Sequence, residues 1–249
     1  MFRGKPAGTL RHVRYHASAD LTFWVEHYWI VEWNLVEPYV AQNLPHPSVH
    51  LVIGDDDARV VGVVTGKFER RLDGRGRVFG IKMRPGAFRP ILGRAVSTIT
   101  DGQLLLGDLL PGLEDAVRRI TDDHGRIASA EAILRGQLPA RDEAIEEVNQ
   151  IIDLVLANHQ ITKVDDLVRV SGVRKRSLQR LFYEYVGVSP KWVISRYRLH
   201  EALERAASGG SIDWTSVAHE LGYFDQAHFI RDFKRLVGMT PTQYASVAG

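Results

Sequence analysis

Along the first hundred or so residues, apolar side chains come in short runs rich in Val, Ile and aromatics, cut by Gly, Pro and Asp. That pattern predicts strands at "TLRHVRY", "YWIVEWNL", "SVHLVI", "ARVVGVV", "KFERRL" and "RVFGIKM", since alternating side chains of a strand point to opposite faces. Asp73-Gly74, between "ERRL" and "RGRVFGI", signals a hairpin. "SADLTFWVEH" reads as a short helix capped by Ser18 or Asp20. An open or barrel-like antiparallel sheet follows for this half. After Pro111 the period changes. "GLEDAVRRITDD", "SAEAILRGQL" and "DEAIEEVNQIIDLVLANH" place apolar residues three and four apart, with Gly125 and Pro139 as breaks, and from Thr162 the chain reads as helices joined by Gly-containing turns. The predicted fold class is α+β: a β-rich, sensor-like N-terminal domain over 1–140 with short helices at its end, then an all-α double helix-turn-helix domain over 141–249.

Two segments of the helical half share one plan. In the first, "VDDLVRVS" is a short amphipathic helix, Gly172 takes the turn, and "KRSLQRLFYEYV" is a second helix with Leu178, Leu181, Phe182 and Tyr185 on one stripe. The helical period puts Arg176, Gln179, Arg180 and Tyr183 opposite that stripe. In the second, "WTSVAHEL" precedes Gly222, and Asp225 caps "QAHFIRDFKRLV", where His228, Arg231 and Arg235 oppose Phe229, Phe233 and Leu236. The face left after core packing is basic in both, and Arg and Gln are side chains that pair with base edges in a major groove. Between them "SPKWVISRYRLHEALERAAS" predicts one helix of about 17 to 19 residues, roughly 26 Å long. Such a connector suits two reading helices set about one duplex turn, roughly 34 Å, apart, with no dimer needed for two-site contact.

Composition sharpens this picture in two places. Cysteine is absent, which removes disulfides, thiolate nucleophiles and Cys-based zinc sites, and fits a reducing, cytoplasmic setting. The net charge of +2 hides a split: Ile161 to Gly249 holds 13 Lys/Arg against 9 Asp/Glu, and the rest of the chain 19 against 21. An excess of four is modest and would not alone establish a nucleic-acid partner. No apolar run long enough for a membrane span is present, and "MFRGKPAGTLRHVRYHASAD" has no apolar stretch of the secretory kind.

The run "VAHELGYFDQAHFIRDFKRLVGMTPTQY" carries Ala218, Gly222, Tyr223, Asp225, Phe229, Arg231, Phe233, Lys234, Gly238, Thr240, Pro241 and Tyr244 at fixed spacing, and "SLQRLFYEYVGVSP" is followed by Tyr197, Arg198 and Ala202. In these residues the chain, over about 145 to 247, resembles the AraC/XylS family of bacterial transcription regulators. The resemblance implies two helix-turn-helix subdomains joined by a long helix, binding double-stranded DNA and reading bases from the early part of each recognition helix. It selects Arg176, Gln179 and Arg180 in the first unit and Gln226, His228 and Arg231 in the second. The family commonly has a small hydroxyl residue at the position of His228, so base preference there does not transfer. Arg174 and Lys175 extend the basic run at the first helix start, while Lys234 and Arg235 suit either phosphate contact or a solvated face.

The N-terminal half offers fewer handles. His12, His16, His27, His46 and His50 show no His-x-His or His-Glu-x-x-His spacing, so no metal or other cofactor is expected. "GIKMRPGAFRPILG" and "LPHPSVHLVI" resemble parts of an uncharacterised domain found before AraC-type domains. Arg84 and Arg89 suit an anionic effector, and equally a surface or domain contact. No phosphate loop, Ser-His-Asp set or carboxylate pair stands out, so an enzyme is not expected. The expected partners are DNA and a small-molecule effector or protein at the N-terminal half, with homodimerisation open. Two rivals stand beside this reading: an enzyme fused to a DNA-binding domain, and an interaction module whose N-terminal half binds protein and no small molecule.

Overall fold

The computed structural model describes residues 7–207 and 212–248. β1 (Gly8–Tyr15), β2 (Val25–Leu35), β3 (Tyr39–Asn43), β4 (His50–Gly54), β5 (Ala58–Val61), β6 (Phe68–Leu72), β7 (Arg75–Met83) and β8 (Gln103–Leu105) are joined by antiparallel pairings only. Six form one sheet in the order β1-β2-β7-β4-β5-β8, and β3 pairs with β6 in a two-stranded sheet.

The period-2 alternation works as the sequence pattern requires. Tyr28 and Ile30 of β2 lie opposite Ile81 and Phe79 of β7, which lie opposite Leu51 and Ile53 of β4, and all six are buried in one core. On the other face Trp29 and Trp33 lie opposite Gly80 and Gly76. A Cβ on Gly80 would stand 1.9 Å from the Trp29 ring, and one on Gly76 2.3 Å from that of Trp33. Each indole thus occupies the space its facing glycine leaves.

The helices α1 (Arg89–Leu92), α2 (Leu113–Arg118) and α3 (Asp123–Gln137) share the core of the large sheet through Phe88, Leu92, Leu113, Val117, Leu134 and their neighbours. α3 is pinned to the first strand region by buried polar contacts. Tyr15 donates to Asp123 (2.8 Å), and Ser18 donates to Glu131 from both its backbone N–H (2.9 Å) and its hydroxyl (2.5 Å).

Three local expectations fail here. Asp73-Gly74 does not make a hairpin, because β6 pairs with β3 and β7 with β2 and β4. The dipeptide is instead a corner between sheets, with Gly74 at φ +52° and its carbonyl accepting from Leu35 N–H (2.7 Å). "SADLTFWVEH" forms turns and then enters β2 at Val25, because the Ser18 hydroxyl is spent on Glu131 and does not cap a helix. Gly125 breaks nothing: it sits in the first turn of α3, where its N–H donates to the capping carboxylate of Asp122 (2.7 Å). β3 and β8, short and pattern-poor, were not expected.

Candidate nucleic-acid interface

α4 (Glu143–Ala157) leads from the β-rich half into the helical one, capped by the Asp142 side chain on Ala144 N–H (2.9 Å). The first unit is α5 (Val164–Ser171), a turn at Gly172 (φ +72°) and α6 (Lys175–Leu181). The Asp166 carboxylate, in the first turn of α5, accepts from Lys163 N–H (3.1 Å) and so fills part of a helix-start requirement. The second helix, expected to run unbroken through "FYEYV", widens into a π-helical stretch at Phe182–Val186, ending at Gly187 (φ +91°). Leu178, Phe182 and Val186 are fully buried, while Leu181 and Tyr185 are only partly so, as the extra residue per turn rotates the stripe.

α7 (Pro190–Ala207), with 18 residues, is the single connecting helix that the spacing predicts. Its Arg198 is fully buried and donates to the carbonyls of Val155, Asn158 (3.1 Å) and Ile161 (3.2 Å), and pairs with Glu201. A guanidinium set on the last carbonyls of α4 satisfies acceptors no helix can satisfy for itself, and locks the connector onto the first unit.

The second unit is α8 (Trp214–Glu220), a turn at Gly222 (φ +80°) and α9 (Gln226–Val237). Asp213 and Asp225 cap the two helices, accepting from Thr215 N–H (2.9 Å) and His228 N–H (2.6 Å). Gly222 has a second reason to be glycine: a Cβ there would stand 2.3 Å from Thr162, just before α5, so this turn is also where the units meet. Inside, Phe229 and Phe233 are fully buried and pack with Trp214 and with Tyr244 of α10 (Pro241–Ala248), ring centroids 5.7 to 6.4 Å apart.

On the opposite faces, Arg174, Lys175, Arg176, Gln179 and Arg180 are all exposed, as are His228, Arg231, Lys234 and Arg235, with Gln226 half-buried. Among the described residues the side chains of Arg174, Arg176, Gln179, Arg180, Gln226, Arg231 and Lys234 make no hydrogen bond or ion pair. Lys175 is held by Asp165 (2.8 Å) and Arg235 by Asp232 (3.2 Å), solvent-screened pairs that a phosphate can displace. His228 packs edge-on to Tyr223, centroids 5.2 Å apart.

One residue beside this face escaped the sequence reading. Phe224 is 88% exposed, at the position before the cap Asp225. An apolar residue there ordinarily staples onto the fourth residue of the helix, but Tyr223 already covers Phe229 (5.2 Å). The cue was two adjacent aromatics competing for one staple.

The two halves are packed together. Val63 lies in the core of the first unit and Leu44 in that of the second. Thr100 donates to the Gly187 carbonyl (2.6 Å) and Arg196 to that of Thr65 (2.8 Å). Arg89 pairs with Glu184 (2.7 Å) and Arg84 with Asp153 (3.8 Å), contacts that join the two halves.

Residues 167–246 match a family described as a helix-turn-helix domain, and residues 13–104 one described as a domain of unknown function (DUF6597). The chain is 32% identical over 102 residues to the F1 operon positive regulatory protein of Yersinia pestis, covering 40% of this chain and 34% of that protein. It is 27% identical over 109 residues to the raffinose operon transcriptional regulatory protein RafR of Pediococcus pentosaceus, covering 43% and 39%. The chain thus spans well under half the length of these curated relatives. A crystal structure of a transcriptional regulator with an AraC-type DNA-binding domain from Chromobacterium violaceum aligns over 42% of this chain and 93% of its own at 23% identity, with a TM-score of 0.37, a likeness too loose to argue from. Through the helix-turn-helix domain matched over residues 167–246 of its C-terminal half, the chain is similar to AraC/XylS-type regulators.

Proposed function

We propose that the protein is a sequence-specific DNA-binding transcription regulator that lays α6 and α9 into successive major-groove faces of one duplex. The carrying observation is that both helices turn unpartnered Arg side chains to solvent opposite a buried stripe, with Gln179 beside them on α6. Arg176, Gln179 and Arg180, and Gln226, His228 and Arg231, sit early enough on their helices to meet base edges. Arg174, Lys175, Lys234 and Arg235 suit phosphates, giving affinity that falls with salt as counterions are released. Phe224 offers an apolar surface for a thymine methyl or a sugar. The working parts divide near residue 140: 141–249 reads DNA, and 1–140 sets occupancy in response to an effector or partner, alone or as a homodimer. No helix among the described residues is long and apolar enough to cross a membrane, which suits action in the cytoplasm.

The experiment is selection of bound fragments from a random duplex pool by the full chain. A motif with two half-sites about one helical turn apart is expected. Recovery of no motif above the input pool, by folded protein at low salt, would reject the reading.

A further inference from the structure

Four elements of the N-terminal half enclose a cleft: the end of β4, the start of β7, α2 and α3. The space a water-sized group can occupy inside it is about 10 Å³, so it is a tight recess with room for one small group. Its floor includes Phe79 and Val117, both buried, and Arg77, Arg118 and Arg126 line it.

Two of these arginines are incompletely satisfied. The Arg126 side chain is 1% exposed; its Nε donates to Ile120 O (2.9 Å) and its Nη2 to Thr121 O (2.5 Å), while the buried Nη1 makes no hydrogen bond. The carboxylates nearest to it, of Asp123 at 3.6 Å and Glu32 at 3.9 Å, are beyond hydrogen-bonding range. Arg118 donates from Nε to Gly54 O (3.0 Å) and from Nη1 to Glu114, leaving its buried Nη2 unmatched. Arg77 makes no side-chain hydrogen bond among the described residues. Buried polar groups are nearly always paired, and a buried guanidinium N–H without an acceptor is costly.

We propose that this cleft binds the oxyanion of a small acidic effector, a carboxylate or a phosphate ester, held by Arg118 and Arg126 with Arg77 at the mouth. An oxyanion would accept from both unmatched Nη groups, as arginine forks favour. Burial, and then the charge of Arg77, hold the Arg126 guanidinium below its usual range, and a bound anion offsets both. The acids around the cleft, Glu32, Asp55, Glu114 and Asp123, outnumber its three arginines. The site therefore selects one compact oxyanion by its unfilled donors and does not attract polyanions by bulk charge. Only the word effector rests on the DNA-binding reading; the binding site stands without it.

The test is thermal melting of the full chain against inorganic phosphate and, separately, succinate, at ionic strength held constant with chloride. A saturable rise in Tm with one of them supports the site, and the probe that saturates tells phosphate from carboxylate chemistry. Arg77→Gln breaks no side-chain hydrogen bond among the described residues and should weaken the midpoint roughly tenfold; Arg77→Glu should abolish the response. No saturable rise with either probe, or a rise unchanged in Arg77→Glu, overturns the proposal. Gel shifts on the selected DNA keep the two readings apart. A chain that responds to the anion through Arg77 but binds no DNA keeps the site and loses the regulator reading. A chain that binds DNA without an anion response loses the site alone.

Discussion

Arg180 and Arg231 are exposed, make no internal hydrogen bond or ion pair among the described residues, and lie opposite the buried stripes of their helices. Removing either therefore costs the fold little, and what changes reports on the partner. Arg180→Ala and Arg231→Ala should each keep the parental Tm and weaken binding to the selected site by about 1 to 3 kcal/mol, with relaxed specificity at one position, if the contact is to a base edge. If the contact is to phosphate, binding to all sequences weakens alike and the salt slope falls by about one. Gel-shift titration at two salt concentrations separates these outcomes, and unchanged affinity in both variants would remove these residues from the interface.

At the scale of elements, the second unit is a small body organised by aromatic rings. Phe233 is fully buried and within ring-packing distance of Trp214, Phe229 and Tyr244, so one side chain joins α8, α9 and α10. Phe233→Ala should cost about 3 to 5 kcal/mol, since little around the cavity can collapse to fill it. Thermal or urea melting would show the loss directly, and DNA binding should fail only as the unit loosens. A variant with the parental melting temperature and lost binding would make Phe233 a contact residue and reverse the faces of α9. The first unit is anchored differently, by Arg198 on the carbonyls of Val155, Asn158 and Ile161 and by Thr162 against Gly222. Those contacts fix the units relative to each other more firmly than the connecting helix alone would.

For the whole molecule, the junction between the halves carries a titratable signature. His46, from the β3–β4 connection, stacks on His200 of α7 with centroids 4.2 Å apart. Burial, then the charges of Lys82 and His200, push His46 down to about 2, and burial, then Arg196 and Lys82, push His200 down to about 4. His50, beside Lys82, is pushed down to about 3 by burial first. Each is lowered in the native state, so below about pH 6.5 the unfolded chain takes up protons that the folded chain refuses. Stability should be complete above that pH and fall as pH drops toward about 4. Tm measured across that window should decline, and His46→Gln with His200→Gln should flatten the decline; an unaltered slope would place its origin elsewhere. The same junction bears on how the halves divide the work. A fragment from residue 140 onward keeps every candidate DNA contact but loses Leu44 and Val63 from its two cores, each worth about 1.5 to 3 kcal/mol. It should select the same DNA motif as the full chain while melting at a clearly lower temperature. A different motif from a folded fragment would mean that the N-terminal half shapes the reading surface.

What the sequence determined by itself is what depends on neighbours a few residues away. The helical period set α4 to α9 and, for α6 and α9, the side that is buried; Gly172 and Gly222 marked turns that need positive φ; Asp225 marked a cap; and the apolar runs marked six of the eight strands. Exposure of the basic residues on α6 and α9 was legible for the same reason, because one face of a helix is left over once the other is packed. Only the tertiary structure decided who pairs with whom. β6 left its sequence neighbour for β3 because β7 is occupied on both edges, by β2 and β4. Ser18 gave up its cap for Glu131, more than a hundred residues away, Gly76 and Gly80 were answered by Trp33 and Trp29 across the sheet, and Leu44 and Val63 completed cores of the other half. Phe224 turned outward because Tyr223 had taken its place on Phe229. In each case the local preference was weak and the outcome was set by complementary surface brought together from distant parts of the chain, which no local pattern encodes.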